Sequence, residues 1–288
     1  MLRILAAATV AVLLAACASS GAGRIAKETL YVVNAANRLI SINGGRPEQP
    51  LSDRALAGLA PGERVIGIDY RVARGQLFAL GSSGTLYRID TASATASAVG
   101  GISAVPLRGI EFGFDFNPTV DRIRVVSDAG LNLRLHPDTG AVVDGDPGSD
   151  GLQLDGTLAW AAGDRNAGRR LAVVAAAYSY NKVDERITTN YAIDAANGLL
   201  VMQGSKEGAT PVVSPNTGRV STVGPLRVGE FDRASFDIAD VGNAAYAAFT
   251  RPFARESVLY RIDLATGSAT RIGPIAGGRA VAGIAIEP

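Results

Sequence analysis

The sequence has 288 residues, and only one of them is cysteine and one histidine. A single cysteine excludes an intrachain disulfide and a cysteine-ligated zinc site. A hydrolytic triad would have to be built on His136 alone. Lysine is scarce: Lys27, Lys182 and Lys206 are the full set, and none lies in an apolar stretch, which leaves few candidates for Schiff-base chemistry. A charge surplus is missing too, with 28 Lys+Arg against 27 Asp+Glu. No nucleic-acid partner is therefore expected, because neutralising many phosphates needs a basic excess. No G-x-S-x-G, H-E-x-x-H, P-loop or dinucleotide fingerprint occurs.

Glycine, by contrast, is plentiful. The chain has 34 Gly and 13 Pro, a supply of turns that favours many short strands over long helices. Hydrophobic residues make up 47% and charged residues 19%, the balance of a folded chain.

The first residues, MLRILAAATVAVLLAAC, read as an address. Arg3 supplies a positive start, and Ile4 to Ala16 is an uncharged, mainly apolar run of 13 residues. That is short of the roughly 20 needed to span a bilayer but suits a signal peptide. It ends in Leu14-Ala15-Ala16-Cys17, which resembles the lipobox of bacterial lipoproteins. The resemblance implies a signal peptide over 1–16, lipid attachment at Cys17 and a lipidated tether over 17–28. Ala18, where an Asp would favour inner-membrane retention, implies outer-membrane sorting, with the protein facing the periplasm. Anchoring by two or three acyl chains is stable.

The remainder, 29–288, reads as one domain made of repeats. Residues 67–94 align with 113–140 at an offset of 46 without a gap. Gly67 matches Gly113, Asp69 matches Asp115, Gly84 matches Gly130 and Arg88 matches Arg134. A third copy starts at Ser235 and needs a five-residue insertion. A weaker copy starts at Thr157, and another is split between 30–43 and 281–288. Each copy reads as four strands. The first turn carries Gly75, Asp121 or Asn243, residues that tolerate a left-handed backbone. The last turn recurs as DTASA, HPDTG, DAANG, SPNTG and DLATG, which makes His136 a turn residue and not a catalytic base. A four-stranded unit of this length is a propeller blade. The expectation is an all-β, five-bladed β-propeller whose C-terminal strand closes the first blade. Residues 206–230 read as an extra hairpin on the fourth.

Three blades carry Asp on the inner strand, Asp69, Asp115 and Asp237, and the same three carry Arg on the third: Arg88, Arg134 and Arg261. Ala159 and Ala285 stand at the other Asp positions, with Ala192 and Ser41 at the Arg positions. Because the charges come and go together, we read three structural Asp–Arg pairs, since an unpartnered buried carboxylate is costly. The alternative is a ring of carboxylates holding Ca²⁺ in the channel, against which the coupling to Arg argues. The loop DGDPGSDGLQLD offers Asp144, Asp146, Asp150 and Asp155 as weaker metal candidates, but Ser149 stands where a calcium loop needs Gly. The basic run Arg165–Arg170 reads as a solvated loop tip. Tyr178 and Tyr180 read as sharing a strand face.

GFDFNPTVDRIRVVSDAGLNLRLHPDTG, together with IGIDYRVARGQLFALGSSGTLYRID and the STVGPL…FDI run, resembles the bacterial family catalogued as domain of unknown function 4394. The resemblance covers about Leu30 to Ile286. It implies a propeller-like envelope domain and supplies no catalytic or ligand residue. The resulting expectation is an envelope lipoprotein acting as a monomeric binding or scaffolding module for a protein or small ligand. The alternative is a Ca²⁺-dependent propeller hydrolase of the lactonase or glycosidase type.

Overall fold

The structure is a computed structural model that describes residues 24–288. The signal-peptide reading and Cys17 lie outside the described residues. The last five residues of the expected tether lie against the body: the Ala26 amide donates to Asn43 Oδ1, and Tyr246 donates its hydroxyl to Glu28.

Five antiparallel sheets stand around a common axis. Blade one holds β1 (Thr29–Asn34), β2 (Arg38–Asn43) and β3 (Arg46–Ala55). Blade two is β4 (Val65–Arg71), β5 (Gln76–Gly81), β6 (Leu86–Asp90) and β7 (Thr95–Val99). Blade three is β8 (Phe112–Asn117), β9 (Arg122–Ser127) and β10 (Asn132–Leu135). Blade four is β11 (Ala159–Trp160), β12 (Val173–Tyr178), β13 (Asn190–Asp194), β14 (Leu199–Gln203) and β15 (Arg219–Pro225). Blade five is β16 (Arg233–Ile238), β17 (Ala245–Thr250), β18 (Val258–Ile262) and β19 (Ala269–Pro274). The last strand, β20 (Val281–Ile286), pairs with β1 and is the inner strand of blade one. The ring is therefore closed by the two ends of the chain, as expected.

Two blades depart from four strands. In blade three, β10 is the edge, joined further out only by a bridge between Leu135 and Val142. Blade four gains a fifth strand, because β11 adds in parallel outside β15. This corrects the repeat alignment. Ala159 lies on the outer edge, and the inner strand of blade four is β12, which puts Ala177 at the Asp position. Ala192 is on the second strand, not the third. Residues 219–225 are the regular fourth strand, not an extra hairpin. The predicted left-handed turn positions hold: φ is 59° at Gly75, 51° at Asp121 and 50° at Asn243.

The core is divided into five clusters, one between each pair of neighbouring blades. Each sheet has two buried faces, so strands such as β12 (VVAAAY) are buried at every position. Small residues near the axis let the blades converge, and larger ones such as Phe78, Phe116 and Leu133 fill the widening wedge between blades two and three.

Candidate functional site

All inner strands start on one face, called here the mouth face, and run down the axis. Each carries a small residue and, two positions later, an axial residue: Gly67 and Asp69, Gly113 and Asp115, Ala175 and Ala177, Ser235 and Asp237, Gly283 and Ala285. Residues two apart lie on the same side of a strand, here towards the next blade. The approach is close. A Cβ on Gly113 would lie 2.6 Å from the Ala176 nitrogen, and one on Gly283 would lie 2.7 Å from that of Ile68.

This convergence brings five backbone amides to the axis, one after each axial residue. Asp69 accepts from Tyr70 and Phe116, each at 2.7 Å. Asp115 accepts from Tyr178 at 2.9 Å. Asp237 accepts from Ile238 at 2.5 Å and Ile286 at 2.6 Å. Each Asp thus reaches the next blade round the ring. Three carboxylates serve five amides, so blades one and four can carry alanine.

The predicted Asp–Arg pairs do not form. Register places Phe78 between Asp69 and Arg88, Arg124 between Asp115 and Arg134, and Tyr246 between Asp237 and Arg261. Two strand spacings, about 9.6 Å, separate each carboxylate from its supposed partner. Arg88 is exposed. Arg261 lies over the Tyr246 ring at 4.8 Å. Arg134 binds Asp155 at 2.8 Å, and Arg124 binds the same carboxylate from the other side. The two charges recur together because the repeat duplicated both, not because they touch.

The three axial carboxylates instead face one another. They are 3–6% exposed, and one oxygen from each lies within 4.8 Å of the others. Burial, then mutual repulsion, pushes Asp69 and Asp115 well above the ordinary aspartate range; burial raises Asp237 to about 6. Asp69 and Asp115 titrate as a pair, so a proton taken up there belongs to both carboxyls. Tyr180 lies within the field of the three carboxyls. Burial, then the charge of the three aspartates and of Asp240, holds its hydroxyl proton firmly. Tyr178 points elsewhere, its buried hydroxyl accepting from Arg124. The oxygen spacing also suits Ca²⁺, since ligands at about 2.4 Å on opposite sides of the ion are about 4.8 Å apart.

The loop candidates do not converge. Asp144 accepts from the amides of Asp146 and Gln153, and Asp146 accepts from Gly148 and Ser149. Asp150 is exposed, and Asp155 is buried between two arginines. His136 sits in its turn, accepting from the Asp138 amide.

Above the carboxylates the inner strands close to a void of about 10 Å³ at Gly67, Gly113 and Gly283, at the limit for one water. Above that neck the mouth face opens into a depression of about 320 Å³, lined from blades one, two, three and five. Its charged centre is Glu111 with Arg233 at 3.2 Å, flanked by Arg64, Ser82 and the exposed Ile110. Burial raises Glu111 to about 7; Arg233 opposes the shift, and Asp232 and Asp128 add to it. Sequence reasoning passed over Glu111 because it lies in the variable stretch just before the repeat.

Among solved structures, a chain in a nidogen/laminin complex is similar at 11% identity with a TM-score of 0.44, covering 91% of this chain and 98% of that one. A structural genomics protein of unknown function from Bacteroides thetaiotaomicron is 15% identical, with a TM-score of 0.44 over 86% of this chain and 58% of the other. Glutaminyl cyclase from Myxococcus xanthus is 12% identical, with a TM-score of 0.44 over 79% and 91%. No curated protein shows significant similarity. The family model described as domain of unknown function (DUF4394) matches residues 24–285, and the chain belongs to that family.

Proposed function

We propose that this protein is a non-catalytic binding module of the cell envelope, anchored by lipid at Cys17, that receives its ligand or partner in the axial depression of the mouth face. The observation that carries the reading is the division of the axis. A polar, ionised depression shared by four blades lies above a neck that seals the carboxylates away from it. Concave sites with a few convergent polar groups are where folded domains bind ligands. The chain enters β1 on the face opposite the mouth, so a lipid at the N-terminus presents the mouth away from the membrane.

The convergence of Asp69, Asp115 and Asp237, free of arginine, favours the calcium-dependent hydrolase as a second reading. A catalytic ion, however, needs a coordination position open to substrate. Here the three carboxyls are buried beneath a neck of about 10 Å³, so an ion at this place would brace the ring and not reach a substrate from the mouth.

Two measurements test the proposal. Metabolic labelling with palmitate is expected to mark the wild-type chain and not Cys17→Ser. A thermal-shift screen of small polar metabolites is expected to give stabilising ligands whose effect is lost in Arg233→Gln. Turnover of lactones or glycosides that disappears in Asp115→Asn would refute the non-catalytic reading.

A further inference from the structure

The mouth face carries a second cavity, of about 440 Å³, over blade five and apart from the axial depression. Its floor is aromatic. Phe231 and Phe249 meet at a tilt of 58° with centroids 4.7 Å apart, and Phe249 meets Tyr260 edge-on at 5.4 Å. Its rim holds Arg251, Arg255 and Arg271, all exposed, with Glu230 and Glu256. None of the three guanidinium groups forms an ion pair among the described residues. The loop that supplies two of them has Phe253 at its tip. That ring is fully exposed, at 104%, and its backbone is left-handed, with φ of 63°. Such a conformation is unfavourable for a non-glycine residue, and the fully exposed ring gains no packing to offset it.

We propose that this cavity binds a small organic anion with a flat apolar body, of the aryl carboxylate or aryl sulfonate class. The aromatic floor takes the ring, and the guanidinium groups take the acid group through paired, charge-assisted hydrogen bonds. Glu230 and Glu256 sit on the same rim and repel an extended polyanion, which selects for a compact ligand with one acidic end.

The proposal is tested by isothermal titration of the purified protein with naphthalene sulfonate at low ionic strength. Sulfate and uncharged naphthalene methanol serve as separate arms. Saturable binding of one naphthalene sulfonate per chain is expected, at least tenfold tighter than either control. Arg251→Gln and Arg271→Gln are each expected to weaken it at least fivefold; both positions are exposed, and unchanged melting would confirm intact folds. Absence of binding, affinity unchanged in both variants, or sulfate binding as tightly as the aryl compound would each overturn the assignment.

Discussion

Asp115 is the residue on which the axis turns. Its carboxyl accepts the Tyr178 amide, and burial, then the charges of Asp69 and Asp237, raise its affinity for a proton. The three axial carboxyls bind protons more readily folded than unfolded. Their contribution to stability is therefore complete below about pH 4 and is lost as pH rises, through about 6 for Asp237. In chelating buffer, the thermal midpoint is expected to fall between pH 5 and 8. Asp115→Asn retains a side-chain acceptor for Tyr178 while removing a carboxyl whose ionisation inside the axis is costly. It is expected to melt higher than wild type at pH 8 and to flatten the slope; a wild-type profile that rises over that span would contradict the account. A second test concerns Arg124, which is 2% exposed and held by Asp155, Asn132 and Asn216. Removing one partner of a buried pair costs about 3–5 kcal/mol. Arg124→Met is expected to lose about that much in urea unfolding, whereas Arg88→Met, at an exposed position, is expected to lose less than about 0.5 kcal/mol.

At the scale of the strand, the spacing of glycine and aspartate determines how close the blades come. Gly113 faces backbone of β12, which has no side chain to turn aside. Gly113→Ala is expected to destabilise by about 1–3 kcal/mol, the range for overpacking a tight interior. The equivalent change at Gly62, where nothing lies within 4 Å, meets no such contact; its φ of 77° leaves only a backbone penalty of about 1 kcal/mol. Denaturant midpoints of the two variants separate these effects. Strand identity was legible in the sequence wherever the repeat was ungapped. The 46-residue offset located β4 to β6 and β8 to β10, and the turn residues located their connections. Blade four was misread, because β11 and β12 both resemble a starting strand and sequence has no way to say which one faces the axis. The carboxylate cluster was hidden for a related reason. Repetition shows which residues recur, but whether Asp69 meets Arg88 or Asp115 depends on the radial position of each strand.

For the whole molecule, the five separate cores mean that stability resides in the interfaces between blades. The ring is held shut by the pairing of β1 with β20, from Leu30 with Ile286 to Asn34 with Val281. Deleting residues 281–288 removes that strand and the Ile286 amide from Asp237. The truncated chain is expected to lose cooperative unfolding by calorimetry, since blade one would expose both an edge and a core face. A cation held by all three axial aspartates would brace blades two, three and five together. Millimolar Ca²⁺ is accordingly expected to raise the wild-type thermal midpoint more than that of Asp115→Asn. Binding at 100 times the dissociation constant corresponds to about 2.7 kcal/mol.

The axis also contains a matter of parity. Five amides meet three carboxylates, and three carboxylates carry six oxygens. Asp69 and Asp237 each give both of theirs to the amides, and Asp115 gives one. An odd-numbered ring whose amides are shared among two-oxygen acceptors always leaves one acceptor over. That remainder falls on Asp115, so the unevenness of five determines which carboxyl keeps an oxygen that no axial amide claims.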